Sequence, residues 1–450
     1  MRTLFFKSLN IFFFFSIVLN GSVEAQNILD EYIATGLKNN LILEQRNITL
    51  EKALLSLKIA RGRFLPTVAL QGNYTTGDGG RSISIPVGTL LNPIYDALNI
   101  PAEIENVNQN FFPKDFYDAK VRTSMPLFNT DLVYNKKIQQ QQILLKEFEV
   151  DIYKRELIRD IKTAYFNYLS AQEWIGIYQS ALTRALEGKR INESLLANGK
   201  GLPAYVLRSQ AEIESIKAHL TEAERQAENG KLYLNFLLNR ESNAEIKKDF
   251  NPNLLLVHVP EALTQERDTK KREELRQVQT VKSLNSNALK MNQLFWSPRL
   301  SGFVDLGAQG EYMKYTSQSN YYLLGIQVDV PIFAGFTNRY KIEQSKLDVK
   351  NTEVSYTVAN QQLDLAKEMA HNKLITSYQN YLSAQKQLEA AQSYQKLIEK
   401  GYKEGVNTFI ESIDARNQLT SAQFLVNINL YTVLIAEASL ERETAGYELK

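Results

Sequence analysis

Few residues of this chain have a type and spacing that could do chemistry. Glu411 and Asp414 stand three positions apart, so both carboxylates would lie on one face of a helix. Taken alone, such a pair is typical of a solvated acidic face. His219, His258 and His371 are scattered, with no second histidine at the spacing of metal ligands, which favours ordinary surface or core roles.

The motifs of an enzyme are missing from the sequence. It contains no nucleophile elbow, phosphate-binding loop or zinc motif, and it has no cysteine at all. The net charge of +2 gives no electrostatic support for binding nucleic acid. We therefore expect a protein that is not an enzyme, with no cofactor, no metal and no nucleic-acid partner.

The N-terminal segment has the pattern of a signal peptide, predicted at residues 1–25. Arg2 and Lys7 precede an apolar run from Leu9 to Leu19, and Val23-Glu24-Ala25 fits a cleavage site. The run is short for a bilayer, although an uncleaved anchor is the alternative. No second run of 18 apolar residues follows, so we expect an exported chain without a transmembrane helix.

The chain aligns with itself, which indicates a tandem repeat. Pro66 falls on Pro298 and Pro126 falls on Pro331, each followed by similar patterns. Each half reads as a helix, two strands, a very long helix, a tight turn and a helix. Sixty residues separate the first two prolines and 33 the second two, which predicts about 27 extra residues in the first strand connection.

Four segments of roughly 10 residues alternate strictly between apolar and polar side chains, the length that a tilted strand needs to cross a bilayer. Their polar faces carry charge and their ends carry aromatic residues, which favours a membrane barrel over the strands of a soluble sandwich. Four strands cannot close a barrel and open edges are not tolerated in lipid. Two copies would give eight strands and three would give twelve.

After the strands, the pattern becomes helical and continues without proline from about Leu132 to Asn198. Apolar residues recur at heptad spacing in both halves, and further apolar residues lie beside each seam, which indicates helices with neighbours on both sides. Gly199, Gly201 and Gly405 mark the turns that end the long helices, where glycine supplies a left-handed conformation.

These patterns divide the chain into repeats. The predicted boundaries are a signal peptide at 1–25, a first repeat at 26–240, a linker at 241–267, a second repeat at 268–441 and a tail at 442–450. Within the repeats, the strand pairs are predicted at about 67–125 and 299–330, and the helical hairpins at about 131–238 and 336–441.

Residues from about Gln26 to Leu440 resemble the TolC-like outer-membrane efflux proteins. Eight motifs occur in the family's order across both halves. They are Arg272–Leu275, Phe64–Pro66, Trp296–Pro298, Met125–Phe128, Val330–Phe333, Tyr205–Glu212, Tyr402–Gly405 and Ile413–Ala415.

The resemblance implies a mixed α and β membrane protein, a homotrimer with a twelve-stranded outer-membrane β-barrel continued by a long α-helical coiled-coil barrel in the periplasm. It implies a passive exit duct for an inner-membrane transporter joined through a periplasmic adaptor. A periplasmic coiled-coil adaptor, or a scaffold without channel activity, is the alternative. In such systems the choice of cargo belongs largely to the pump, and drug efflux, metal efflux and protein secretion use similar ducts.

The resemblance also assigns roles to single residues at the tips of the hairpins. Glu411 and Asp414 match an acidic pair that forms a ring at the closed mouth, where crowding would raise some pKa values. Tyr402 matches a latch tyrosine, whereas Asn407 replaces a basic residue and Tyr205 an acidic one. We therefore expect hydrogen bonds or aromatic packing, rather than charge, to hold the mouth shut.

The three glycines of the tips are predicted to serve backbone geometry first and adaptor docking second. The prediction that the adaptor docks there is based on the position of Gly199, Gly201 and Gly405 in the turns at the hairpin tips.

Overall fold

The computed structural model describes residues 20–77, 79–110, 114–264 and 268–449. The predicted signal peptide lies outside the described residues, except that its last residues belong to the first helix. The elements in chain order are α1 (Asn20–Asn39), α2 (Leu41–Gly62), β1 (Thr67–Thr75), β2 (Ser82–Ile85), α3 (Val87–Ala97), β3 (Val107–Asn110), β4 (Phe116–Phe128), α4 (Thr130–Ala197), α5 (Pro203–Leu237), α6 (Asn253–Leu256), α7 (Val259–Thr264), α8 (Glu273–Gln293), β5 (Arg299–Gly310), β6 (Asn320–Asp329), α9 (Thr337–Lys403) and α10 (Phe409–Glu443).

The long helical hairpins have nearly equal dimensions. Helices α4 and α9 contain 68 and 67 residues, and α5 and α10 contain 35 each. Asn129 caps the N-terminus of α4: its Oδ1 accepts hydrogen bonds from the backbone N–H groups of Asp131 at 2.9 Å and Leu132 at 3.4 Å. Pro203 opens α5 at its first position, as its fixed φ favours.

The chain forms two compact units, and each predicted repeat contributes to both. Of the described residues, those within 1–51, 144–281 and 351–450 form one unit, and those within 52–143 and 282–350 form the other. The first unit is helical and the second contains the sheets.

The strand unit contains a four-stranded antiparallel sheet in the order β1-β4-β5-β6. The predicted alternation is confirmed. The cross-strand row of Leu70, Val121, Leu306 and Tyr322 lies on one face of the sheet, and these side chains are exposed. A parallel row contains Val68, Thr123, Val304 and Leu324. This face is an exposed apolar surface that crosses all four strands.

The opposite face of the sheet carries paired charges. Arg122 and Asp305 lie directly opposite each other, and the guanidinium donates to both carboxylate oxygens at 2.7 and 2.6 Å. Asp118 accepts from Lys120 and from the hydroxyl of Tyr321, each at 2.6 Å. These four charges are therefore neutralised by their neighbours within the sheet.

The ends of two strands differ from the sequence interpretation. β4 continues through Pro126 to Phe128, with a shift of register between those residues. β5 ends at Gly310 rather than at Tyr312, because Tyr312 and Met313 turn the chain with φ values of 53° and 56°. The first connection contains β2, α3 and β3, elements that the sequence interpretation treated only as a longer loop.

The helical unit has its core along the predicted heptad seams. Leu157, Ile161, Ala164 and Tyr168 on α4 are buried in one cluster with Leu374 and other residues. The C-terminal tail packs against the same cluster through Tyr447. The backbone carbonyl of Tyr447 also accepts a hydrogen bond from Arg155 at 2.8 Å.

The Arg272–Leu275 motif forms a buried ionic network in this unit. Arg272 is fully buried and donates to the Glu274 carboxylate and, at 2.8 and 2.9 Å, to the carboxylate and carbonyl of Glu443. Burial alone would raise the pKa of Glu274, but the hydrogen bonds and charge of Arg272 hold that pKa below its ordinary value.

Among the described residues, one helix is long and apolar enough to cross a membrane. It is α10, with a window of mean hydropathy 1.4 of which 44% is buried. The window is interrupted by polar residues such as Asn427, which accepts hydrogen bonds from Ser170 and Trp174 of α4, each at 2.7 Å. Helix α10 therefore packs within the helical unit through polar as well as apolar contacts.

Candidate functional site

The candidate site lies where the two long hairpins turn. Gly199 and Gly405 have φ values of +70° and +78°, which confirms the predicted left-handed caps. Gly201 serves a different purpose, since a Cβ there would lie 2.8 Å from the backbone nitrogen of Leu196. Both turns therefore need a glycine for its backbone conformation, and the first turn needs a second glycine for close approach.

Glu411 occupies the third position of α10 and closes a capping box with Thr408. Its Oε2 accepts from the Thr408 backbone nitrogen at 2.7 Å, and its own backbone nitrogen donates to the Thr408 hydroxyl at 3.3 Å. The T-x-x-E pattern of residues 408–411 is a recognisable sequence signal that the sequence interpretation missed.

The capping hydrogen bonds affect the pKa of Glu411 in the direction opposite to the one expected from crowding of carboxylates. The backbone and side-chain hydrogen bonds from Thr408, with a weaker one from Asn407, lower the pKa of Glu411. Crowding in a ring was predicted to raise such values, so within one chain the capping interaction has the opposite effect. Both Glu411 and Asp414 are exposed, and Asp414 accepts from Gln418 at 2.6 Å.

Tyr402 links the two hairpins through a chain of buried hydrogen bonds. Its hydroxyl donates to Asn192 Oδ1 on α4, and Asn192 Nδ2 donates to Ser209 Oγ on α5 at 2.8 Å. Ser209 then donates to the backbone carbonyl of Tyr205 at 3.0 Å. Burial, with the nearby Tyr205, raises the pKa of Tyr402, so its hydroxyl stays a donor at neutral pH.

Aromatic contacts lie beside this chain. The rings of Tyr205 and Phe409 are 4.6 Å apart, and those of Tyr402 and Phe409 are 6.3 Å apart. Together with Ile413 they form a small apolar cluster separate from the main core. Two of the predicted latch residues, Tyr402 and Tyr205, are thus brought together.

Asn407 does not join them. Its backbone nitrogen donates to the Gly401 carbonyl at 3.1 Å, and its side chain reaches Glu411 at 3.4 Å. These contacts stay within its own turn. Gly401 makes this possible, because a Cβ there would lie 1.9 Å from Asn407 Oδ1.

A buried ion pair joins the hairpins a few residues further along the helices. Arg416 of α10, 8% exposed, donates to both oxygens of Glu212 of α5 at 3.3 and 2.9 Å, and to Ser412 Oγ at 3.1 Å. The sequence interpretation placed no charge pair here. Partners 204 positions apart give no local sequence signal, and both residues read as ordinary surface charges.

A cavity of about 230 Å³ lies beside this ion pair. Its lining includes Arg184, Arg416 and Tyr402. Burial, and then the charge of Arg416, lower the pKa of Arg184. In the part of the chain that the structure describes, no group of three or more His, Cys, Asp or Glu residues is arranged to hold a metal ion.

Comparison with known proteins gives consistent matches along most of the chain. The outer membrane efflux protein family matches residues 33–240 and 270–446. The probable efflux pump outer membrane protein TtgC of Pseudomonas putida is 20% identical over 429 residues, which cover 93% of this chain and 83% of that protein.

Solved structures show the same fold. The CmeC outer membrane channel of Campylobacter jejuni superposes with a TM-score of 0.73 at 17% identity, covering 93% of this chain and 85% of that one. The open state of the MtrE outer membrane channel of Neisseria gonorrhoeae superposes with a TM-score of 0.72 at 19% identity, and the match covers 93% of this chain and 88% of that one.

Proposed function

The chain belongs to the outer membrane efflux protein family, and from this we propose that it is the passive exit duct of a tripartite efflux or secretion system. It is an outer-membrane protein that extends into the periplasm and is not an enzyme. In the proposed system, an inner-membrane transporter and a periplasmic adaptor deliver the cargo and this chain conducts it out.

The observation that carries the proposal is the four-stranded sheet. It presents an exposed apolar face across all its strands, while the opposite face is polar and charge-paired. β1 and β6 each have one partner only, so both edges are open among the described strands. Lipid tolerates an apolar face but not an open edge, so strands from other copies must close the barrel.

Uncovered apolar stripes on the helices support association of several copies. On α9, exposed apolar residues recur at alternating intervals of seven and four residues, an 11-residue repeat that keeps them in one stripe along the helix. They are Leu347, Val354, Val358, Leu365 and Met369. We propose a homotrimer in which twelve strands form the barrel and twelve helices form the tunnel.

The tips would form the periplasmic mouth of this trimer. Glu411 and Asp414 are exposed and adjacent on α10, so three copies would present six carboxylates, which attract cations and repel anions. Tyr402, with Asn192 and Tyr205, would hold the hairpins closed. Gly199, Gly201 and Gly405 would shape the surface that the adaptor meets.

The test is the mass and channel behaviour of the protein purified in detergent. We expect a trimer that dissociates on heating and passes small cation-selective currents in a planar bilayer. A monomer that needs no detergent and passes no current would contradict the proposal. A periplasmic adaptor or scaffold would then take its place, and release from membranes by high salt would favour the adaptor.

A further inference from the structure

The connection between β1 and β4, hereafter the insert, contains secondary structure of its own. It contains the β2–β3 hairpin and α3, whereas the connection between β5 and β6 has only residues 311–319. The long helix α4 begins directly after the last residues of β4, and these residues pair with the first residues of β1. The connection leaves from the other end of β1. It therefore lies at the end of the sheet opposite to the long helices. In an outer-membrane protein whose helices are periplasmic, this end faces the exterior.

Side chains fix α3 to the segment that returns beside it. The amide of Asn92 donates to the Ile104 carbonyl at 3.0 Å and accepts from the Ile104 nitrogen at 2.9 Å. Asn106 Oδ1 accepts from the backbone nitrogen of Thr89 at 3.0 Å. A Cβ on Gly88 would lie 2.1 Å from the Ile104 carbonyl oxygen, so the packing here is tight. The insert therefore holds a defined shape.

This defined insert leaves an apolar stripe uncovered. Leu90 and Ile94 of α3 and Leu98, which caps its C-terminal end, follow one another at intervals of four residues and are 67%, 53% and 63% exposed. On the neighbouring hairpin, Ile85 and its cross-strand partner Val107 are about half exposed as well. A soluble surface rarely shows apolar residues grouped in this way without a partner.

The charge of the insert argues against a lipid surface as that partner. Residues 82–107 contain Asp96, Glu103 and Glu105 and no lysine or arginine. Helices that lie on membranes carry basic residues on their polar face, because lipid headgroups are anionic. This acidic insert would be repelled.

A second copy of this chain fits the position of the stripe. The insert extends directly from β1, which is an edge strand, and the edge of β1 must pair with β6 of the next copy if the barrel is to close. The inserts of adjacent copies therefore start from the junctions between copies, at the same end of the barrel.

We propose that the Leu90–Ile94–Leu98 stripe of each copy packs against the stripes of its neighbours and narrows the outer mouth of the barrel. This inference rests on the proposed function, because it needs the copies to assemble. It assigns to the insert a constriction at the exit, distinct from the acidic pair at the hairpin tips.

Disulfide trapping tests the contact directly, because the natural chain contains no cysteine. Ile94→Cys should give disulfide-linked dimers in intact cells treated with a mild oxidant. Asp96→Cys is the matched control, exposed but on another side of α3, and should give none. A native trimer that forms with both variants but is cross-linked by neither would overturn this inference and leave the proposed function standing. Failure to form a trimer would overturn both.

A second experiment measures the constriction. Replacing Leu90, Ile94 and Leu98 together by serine in an Arg416→Ala background, whose periplasmic mouth is expected to be open, should raise the single-channel conductance by about twofold or more over Arg416→Ala alone. The narrowest segment dominates the resistance of a pore, and in that background the outer mouth is the remaining constriction. The triple replacement should also sensitise cells to antibiotics too large for the closed outer mouth. Serine keeps the Asn92 and Asn106 contacts, and resistance of the insert to protease reports whether it still folds.

If the three serines leave the conductance of the Arg416→Ala protein unchanged while the insert stays protease-resistant, the constriction would be overturned. A fluorophore placed at Ile94→Cys and quenched by spin-labelled lipid would instead show the stripe on the membrane, and would overturn the contact between copies.

Discussion

At the scale of single residues, Glu411 has two tasks that can be separated. It caps α10 through Thr408, and its exposed carboxylate belongs to the acidic pair at the proposed mouth. A substitution that removes both effects cannot be interpreted. The capping box itself offers the solution, because glutamine at the third position closes it as well as glutamate does.

We expect Glu411→Gln with Asp414→Asn to weaken cation preference and raise conductance, because the charge is lost while the cap remains. Thr408→Ala is the control, since it removes a capping hydroxyl, at a cost of about 0.5–2 kcal/mol, and keeps both charges. Reversal potentials in a salt gradient measure the preference. Equal preference in the double variant and the natural protein would contradict the role of the pair.

The pH dependence has a definite sign. The pKa of Glu411 is lowered in the folded chain, so its charge and its capping stabilisation are present above its unfolded pKa and are lost as pH falls through the lowered value. We therefore expect the cation preference, measured as the reversal potential in a salt gradient, to persist at mildly acidic pH and to be lost only below the ordinary pKa of a glutamate.

At the scale of elements, two contacts tie one hairpin to the other. The Tyr402–Asn192 hydrogen bond joins α9 to α4, and the Arg416–Glu212 ion pair joins α10 to α5. Both are buried, so removing one partner leaves a polar group without compensation. The expectation of hydrogen bonds and aromatic packing describes the first contact, but the second is a charge pair that the sequence interpretation did not anticipate.

We expect Tyr402→Phe to destabilise the closed tip by about 1–3 kcal/mol and Arg416→Ala by about 3–5 kcal/mol. Both variants should therefore pass larger currents than the natural protein. Asn407→Ala is the control, because the described contacts of Asn407 lie within its own turn. Planar-bilayer recordings measure the effect, and equal currents in all four proteins would show that these contacts do not restrain the mouth.

At the scale of the whole molecule, the two faces of the sheet should tolerate different side chains, because one is proposed to face lipid and the other water. Leu70 lies on the exposed apolar face, and Gln71, the next residue, lies on the face with the paired charges. The proposed barrel places lipid against the first face and water against the second. Adjacent positions of one strand therefore provide a matched pair.

We expect Leu70→Arg to destabilise the assembled barrel by up to about 2–4 kcal/mol, the cost of a basic side chain facing the bilayer midplane, and Gln71→Arg to have little effect. The midpoint of heat dissociation of the trimer in detergent and lipid measures the difference. Greater destabilisation by Gln71→Arg would mean that the faces are assigned the wrong way round.

The sequence by itself determined the elements whose signal is local. Strand alternation, heptad seams and turn glycines each depend on residues a few positions apart, and the Thr67–Thr75 strand and the 68-residue α4 agree with those patterns. The capping box of Thr408 and Glu411 was equally local and was overlooked. The identity of the fold also followed from motifs in their order along the chain.

Only the tertiary structure decided which distant residues meet. Arg416 finds Glu212, and Tyr402 finds Asn192, because four helices bring positions about 200 residues apart into contact. The same holds for Arg272 and Glu443, which read as isolated charges until burial pairs them. Pairing across such distances depends on packing geometry, which local periodicity does not encode, and for that reason the contacts of the hairpin tips and the shape of the insert emerged from the fold alone.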